Sequence, residues 1–471
     1  MLLSLLLLSA CTPSDPVASD CDCPTSDTAP VTGDSGTDDS DTSDTDTDTD
    51  TDDSGGDDSG TLPPVPTQVY LLGGQSNMDG YTYATGLPPS LQVSQDDVTI
   101  YWSGRPLWTG LAPSSAASAY YDTDCFGPEV TFGRSLADAR PDADVALIKH
   151  AVGGTDLAVC WYPGADDTDP AMGTCYADWL STVRSGLAEL EGDYEIAGMI
   201  WMQGESDASY EPWSADYADN LRSFIDRVRE DVETDDLPFA MGVIDCIGCP
   251  YRETVQEAQR TVADESALVF SVETEDLPQN GDNIHFDGSG MRTLGERLAD
   301  VLLGGTGTAA TAQPAFTLTG SGQSLYTGDF VVGYAFQTAD PIILTDLGTL
   351  DYGLDGLSDG ATVAVWDAGT QSVVARITVP GNQTAPTAIW GSWRYAGIEP
   401  VSLPPGDYVI GAQVYSGSAD RYIHNVPVTV AGGITWIEGR HSNGTAVLYP
   451  TLTTAAETSW FGPNFLFIPG E

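Results

Sequence analysis

Val69-Tyr70-Leu71-Leu72-Gly73-Gly74-Gln75-Ser76-Asn77-Met78 starts as an apolar run and breaks into a turn that presents one serine between two side-chain amides, just after two glycines. Glycines and small polar residues make a tight turn with no further meaning. The same turn also exposes a hydroxyl at the edge of a sheet, where the reactive groups of open α/β folds sit. The rest of the chain has to decide between the two.

Short apolar runs recur at Val69 to Leu72, Val145 to Ile148, Ile196 to Met202, Phe239 to Ile244 and Leu268 to Val272. Between them Leu180, Val183, Leu187 and Leu190 follow helical spacing, as do Leu221, Phe224, Ile225, Val228 and Val232, and finally Met291, Leu294, Leu298, Val301 and Leu302. Strands apolar on both faces that alternate with amphipathic helices predict an α/β domain over residues 67–304, with a parallel sheet covered on each side. A segment of about 240 residues is long enough for a full single-domain core. After Gly304-Gly305-Thr306-Gly307 the texture changes. From Ala315 to Glu471 runs such as "ATVAVWD" and "GDYVIGAQVY" alternate apolar with polar residues and carry no helical stripe, which predicts an all-β, sandwich-like second domain over residues 315–471.

A serine hydroxyl is a weak nucleophile until a neighbouring base takes its proton, so the informative partner is a histidine with an acidic orienter. Only His150 and His285 lie in the first domain. His150 ends the buried-looking strand "VALIK" and reads as structural. His285 follows Asp282 by three residues in the loop "GDNIHFDGSG", directly before the last helix. That spacing lets the carboxylate hold one ring nitrogen while the other faces Ser76. Both segments fall at strand ends of one sheet, where sites of open α/β folds are built. Acyl transfer also requires donors for a developing oxyanion. The Ser76 backbone N–H, a backbone N–H in Gly153-Gly154-Thr155 and the amide of Gln203 in "IWMQGESDA" are the candidates, each at a strand end.

Taken in order, "GQSNM", "GGTDL", "WMQGESD" and "DNIHFDGSGMRTLG" resemble the sequence blocks of SGNH hydrolases, specifically the carbohydrate acetylesterase branch that includes sialate O-acetylesterase-like proteins and carbohydrate esterase family six. The resemblance spans nearly all of the first domain. It implies a flavodoxin-like three-layer fold, with Ser76 as nucleophile, His285 as general base and then acid, and Asp282 as its orienter. It implies an oxyanion hole of the Ser76 N–H, a glycine N–H (Gly154 before Gly153) and Gln203. Glutamine at position 203, where the wider superfamily carries asparagine, is the pattern of the acetylesterase branch. Glu205 would support the loop or His285 by hydrogen bonds. The implied activity is removal of O-acetyl groups from carbohydrate through an acyl-enzyme, with no metal or organic cofactor.

The N-terminal part speaks to location. Residues 1–11, "MLLSLLLLSAC", are too short for a permanent membrane span and resemble an export signal. Leu8-Ser9-Ala10-Cys11 resembles a bacterial lipobox, which implies lipid attachment at Cys11, and Thr12 after it favours the outer membrane or cell surface. Residues 12–66 contain sixteen aspartates and no lysine or arginine, and read as a disordered Asp/Thr-rich tether. The net charge is −54, of which −38 remains outside that tether. Such acidity disfavours nucleic acid and anionic membranes as partners, leaving the lipid as the only membrane contact.

Export makes disulfides plausible, and of the eight cysteines Cys160 with Cys175 and Cys246 with Cys249 are the expected pairs. Half a zinc site at "CIGC" lacks a second half, and Cys125 is left over. Two rival functions remain. A surface glycan-binding or adhesion protein would keep the first domain as an inactive esterase-like scaffold, with Trp366, Trp390, Trp393, Tyr395 and Trp436 of the second domain as sugar-stacking candidates, although such residues are more often core or sheet-face packing. A lipid esterase would call for a long apolar insertion near the blocks, and none is present. The segment between Cys160 and Cys175, together with Trp213, is expected to border the site.

Overall fold

The structure is a computed structural model that describes residues 65–470 apart from 114–124, 320–323, 327, 353–355, 382–387, 391, 417, 419, 421, 425 and 455–459. The export signal, Cys11 and nearly all of the acidic tether lie outside the described residues.

Among the described residues the first domain is built on a seven-stranded sheet formed by β1 (Thr67–Gly74), β2 (Gln95–Trp102), β3 (Arg105–Leu111), β4 (Val145–Ala151), β5 (Tyr194–Met202), β6 (Phe239–Gly242) and β7 (Val269–Val272). Its order is β3-β2-β4-β1-β5-β6-β7. Every neighbouring pair is parallel except the β2–β3 hairpin. Val69, Tyr70, Leu71 and Leu72 on central β1 are buried without alternation, because both faces are covered.

The helices are α1 (Ser76–Asp79), α2 (Glu129–Ala139), α3 (Thr174–Glu189), α4 (Glu211–Asp231), α5 (Arg252–Asp264) and α6 (Gly288–Leu302). Alternate residues of one strand show the layering. A side chain added at Gly133 of α2 would meet Leu147, whereas one at Gly186 of α3 would meet Ile148, so the two helices lie on opposite faces of β4. The chain builds to one side of β1 with β2 to β4 and to the other with β5 to β7. The connections therefore diverge at the carboxyl end of β1 and leave a crevice there.

The β2–β3 hairpin, α2 and α5 are additions to what periodicity predicts. At the sheet edge the hairpin exposes Asp96, Asp97, Arg105 and Pro106, so its apolar signal is diluted, as edge strands require. Helix α5 buries Gln256 and Gln259 beside Val255, Ala258 and Val262, which breaks up its apolar stripe.

Lys149 on β4 is a charge in the core. Its Nζ donates to Glu129 Oε2 at 2.7 Å and to Asp79 O at 3.2 Å, while Glu129 Oε1 accepts from the Gly127 N–H at 2.9 Å. The pair ties α2 to the end of α1. Lys149→Met would strand the Glu129 carboxylate and is expected to cost about 3–5 kcal/mol, the range for removing one partner of a buried ion pair. A urea titration monitored by circular dichroism measures it. A loss below about 1 kcal/mol would show that the pair is not a structural tie.

The second domain is antiparallel throughout its named pairings. Its main strands are β8 (Phe330–Thr338), β9 (Ile342–Leu350), β10 (Ala361–Asp367), β11 (Val373–Val379), β12 (Trp393–Leu403), β13 (Gly406–Val414), β14 (Ile434–Asn443) and β15 (Pro463–Pro469). Among the described residues a five-stranded sheet centred on β9 and a six-stranded sheet centred on β13 and β8 share one core, in which Phe465 of the first lies 4.8 Å from Phe336 of the second, ring centre to ring centre. Of the aromatic residues that could stack on sugars or pack as core, Trp366, Trp393 and Tyr395 are at most 2% exposed, Trp393 and Tyr395 in this core and Trp366 in a separate cluster with Val331, Ala335 and Val409, and Trp436 is half-buried against the first. An alternating strand puts every second side chain inward, so Trp393 and Tyr395 fill the space between the two sheets, while Trp366, one position after the inward Val365, is buried on the opposite face of its sheet against Tyr449. The side chain of Trp390 lies outside the described residues.

Candidate active site

The turn after β1 is fixed by close approach. Gly74 has φ +148°, and a side chain there would collide with Met202 O on β5. The Gln75 N–H donates to Met202 O at 2.9 Å, and Gln75 Oε1 accepts from the N–H groups of Gly204 and Ser206. The ends of β1 and β5 are thereby joined, and Ser76 opens α1 with its side chain buried except toward the crevice.

His285 meets it from across the fold. Its Nε2 lies 2.9 Å from Ser76 Oγ, and its Nδ1 lies 2.7 Å from Asp282 Oδ2. A carboxylate can only accept, so Nδ1 carries the proton and Nε2 is the acceptor facing the serine O–H. Asp282 Oδ1 accepts from the backbone N–H groups of Ile284 and His285, both at 3.0 Å, and Asn283 between them adopts φ +60°. Burial works against ionisation of Asp282, but the bonds from the His285 ring and from the two backbone N–H groups outweigh it and hold the carboxyl at about 2. The carboxylate is therefore charged over the whole neutral range. The arrangement can move the Ser76 proton onto an imidazole whose other face is anchored to a negative charge.

Asn77 locks the two segments together. Its Nδ2 donates to Ile284 O at 3.0 Å and to Glu205 Oε1 at 2.8 Å, and its Oδ1 accepts from the Phe286 N–H at 3.2 Å. Glu205 thus reaches the histidine loop through Asn77. Its burial pushes the carboxyl up, and Oε2 has no hydrogen-bond partner among the described residues. Tyr81 stacks on the His285 ring at 4.9 Å with the planes 6° apart, and a side chain on Gly153 would strike its hydroxyl. Gly154 has φ +72°, and a side chain built on it would meet nothing within 4 Å, so its backbone borders open space. The N–H groups of Ser76 and Gly154 have no hydrogen-bond partner among the described residues.

Gln203 departs from the expected geometry. It is fully buried, and its Nε2 donates inward to Asp207 Oδ2 at 2.6 Å, Thr155 O at 3.1 Å and Gln75 Oε1 at 3.3 Å, while Tyr217 O–H donates to its Oε1. The reason is Asp207, a buried carboxylate four residues on that needs donors. It also accepts from the N–H groups of Leu157 and Ala158, and burial still raises it to about 6 against those bonds. The Gln203 amide braces the loop that carries Gly153 and Gly154 instead of pointing at the crevice.

His150 stays apart from the site, with Nδ1 2.7 Å from Ser103 Oγ on the α3 side of the sheet. Trp213 packs edge-on to Tyr210, and no ring contact or hydrogen bond joins it to Ser76 or His285 among the described residues. Both expected disulfides form, Cys160–Cys175 and Cys246–Cys249, and Cys125 is a buried thiol. The second disulfide lies near the site, since the Ile247 N–H donates to Asn283 O at 3.1 Å. Among the described residues no group of three or more His, Cys, Asp or Glu is arranged to hold a metal ion. Gln75, Asn77, Tyr81 and Asp207 are the contributors that sequence reasoning assigned no role. Of these, only Gln75 and Asn77 carried a signal, as the amides flanking the serine.

Comparison with known proteins places this domain. A probable carbohydrate esterase of Arabidopsis thaliana is 25% identical over 264 residues, covering 51% of this chain and 92% of its own. The X-ray structure of that plant protein aligns with a TM-score of 0.43 at 22% identity, over 51% of this chain and 100% of the plant chain. A carbohydrate acetylesterase from Xanthomonas citri aligns with a TM-score of 0.40 at 17% identity, over 83% of this chain and 80% of its own. Residues 66–304, just over half of the chain, match the family model described as carbohydrate esterase, sialic acid-specific acetylesterase, and the chain belongs to that family.

Proposed function

We propose that the protein is an exported serine esterase that removes O-acetyl groups from carbohydrate by way of an acyl-enzyme. The observation that carries this reading is the unbroken line from Ser76 Oγ through both nitrogens of His285 to Asp282, at 2.9 and 2.7 Å. Ser76 attacks the acetyl carbonyl as His285 Nε2 takes its proton. The imidazolium, paired with Asp282, gives that proton to the sugar oxygen as its bond to the acetyl carbon breaks, so the sugar leaves as a free hydroxyl. Water, deprotonated by the same nitrogen, then releases acetate and restores the serine.

The N–H groups of Ser76 and Gly154 are the two donors assigned to the oxyanion, with Gly153 held back beneath Tyr81. Gln203 would join them only by exchanging one of its buried acceptors for the substrate oxygen. Glu205 acts through Asn77 on the loop and not on the substrate. The reading needs no cofactor, and it keeps the chain outside the cytoplasm at the outer membrane or cell surface, held by a lipid on Cys11 at the end of the tether. Two disulfides suit an oxidising compartment and support the export part of the reading.

The test is release of acetate by the purified protein from p-nitrophenyl acetate, acetylated xylan and O-acetylated sialic acid. Turnover on a glycan is expected, and the ranking of the glycans assigns the substrate. Binding to those glycans with no acetate released from any of them would overturn the esterase in favour of an adhesion protein.

A further inference from the structure

The second domain does not stand clear of the site. Helix α6 begins three residues after His285, and its N-cap Asp287 is buried and accepts from the N–H groups of Ser289 and Gly290. Just over a turn further on, Arg292 leaves the α/β layers and donates to Asp346 Oδ2 of β9 at 2.6 Å, with both side chains at most 10% exposed. Asp346 is aimed there by a bulge: β9 slips register between Leu344 and Asp346 against both of its neighbours. A charge buried in the middle of a sandwich sheet is costly unless paired, so the sequence retains it against the packing preference of its surroundings.

A second path joins the same places. Residues 81–91, which follow α1, lie between the histidine loop and β12. On the inner side Tyr81 stacks on the His285 ring, Thr82 Oγ1 donates to Phe286 O at 2.8 Å, and Gly86 meets Gly288 backbone to backbone. On the outer side a side chain at Gly397 of β12 would collide with Leu87 C, Gly86 O and the Arg292 guanidinium. Ser90 donates from its N–H and its hydroxyl to the two oxygens of Glu399 at 2.7 and 2.9 Å. Both routes end within two residues of His285 or on its ring.

We propose that the second domain positions the histidine of the site, with Asp346 acting through Arg292, and β12 through residues 81–91, to hold the loop that carries His285 against Ser76. Asp346 is a positioning residue, and the second domain is a structural half of the catalytic centre. This inference rests on the esterase reading above.

The test compares kcat and KM of the full chain on p-nitrophenyl acetate with those of Asp346→Asn, Asp346→Glu and the double variant Arg292→Met/Asp346→Leu. Removing both charges of a buried pair leaves no stranded ion and is often neutral for stability, so the double variant separates folding from positioning. The expected result is a fall in kcat of about tenfold or more in Asp346→Asn and in the folded double variant, with KM unchanged, and partial recovery in Asp346→Glu. A double variant with native circular dichroism and a wild-type kcat would overturn the inference. Failure of the esterase reading has a different signature: the wild-type protein would then turn over no faster than Ser76→Ala.

Discussion

Ser76→Ala is expected to lower kcat for p-nitrophenyl acetate by about 10,000-fold to a million-fold, the span measured when members of a serine triad are removed. The reason is local. The substitution deletes one oxygen, and with it the hydrogen bond to His285 Nε2 at 2.9 Å, while the backbone at position 76 keeps its N–H. The geometry around it is held by Gln75, Asn77 and Gly74, none of which bonds through the serine hydroxyl, so the fold and KM should change little. What remains should be the part that oxyanion donors and binding supply without a nucleophile, a residual of about 1,000-fold to 10,000-fold over water. Labelling with a fluorophosphonate gives an independent readout, because the wild-type protein should carry one adduct on Ser76 and the variant none. Equal turnover by the two proteins would remove Ser76 from the mechanism and leave the second serine–histidine pair, Ser103 with His150, to be examined.

Much of this site can be read from the chain because its parts are local. Glycine is required at 74 by the approach of Met202 O, and the apolar run before it has no polar face, so the strand and its turn are visible together. Asp282 and His285 are three residues apart in one loop, and their hydrogen bond, like the two backbone bonds to Asp282 Oδ1, is settled within that loop. The helices with a clean stripe, such as α6 with Met291, Leu294 and Leu298, are visible for the same reason.

What stays hidden depends on partners far away in sequence. The orientation of Gln203 is decided by competition among Asp207, Thr155 and Gln75, and no spacing rule reports the outcome. Tyr81 owes its place on the imidazole to a stack across 204 positions, and Asp346 finds its ion-pair partner, Arg292, in another domain. The choice between core and platform for the aromatic residues of the second domain stays open for a related reason. Composition leaves a sugar platform and core packing both open for Trp366 and Trp393; strand register, which composition does not encode, turns Trp393 into the space between the sheets and leaves Trp366 buried on the opposite face of its own sheet.

The carboxylate at 282 gives the second large effect. Asp282→Asn is expected to lower kcat by about 10,000-fold, the loss seen when the orienting aspartate of a serine triad becomes asparagine. The asparagine oxygen can keep accepting from the N–H groups of Ile284 and His285, so the loop should survive, and the side chain is 47% exposed, so no core is disturbed. Its amide would then face Nδ1 as a donor. The ring would have to place its proton on Nε2, the nitrogen that must accept from Ser76, and the imidazolium would lose its counter-charge. The pH dependence separates this from simple loss of structure. Because the wild-type carboxyl is held at about 2, below its ordinary value of 3.8, the stability it contributes is fully present above that ordinary value and disappears only as pH falls through about 2. The variant should therefore lose neutral activity, and whatever stability it loses with the carboxylate should be the same at pH 6 as at pH 8, whereas a loss of structure through titration would vary over that range. A loss of less than tenfold would mean that another group orients the imidazole, and Glu205, which reaches the same loop through Asn77, would be the carboxyl to replace next.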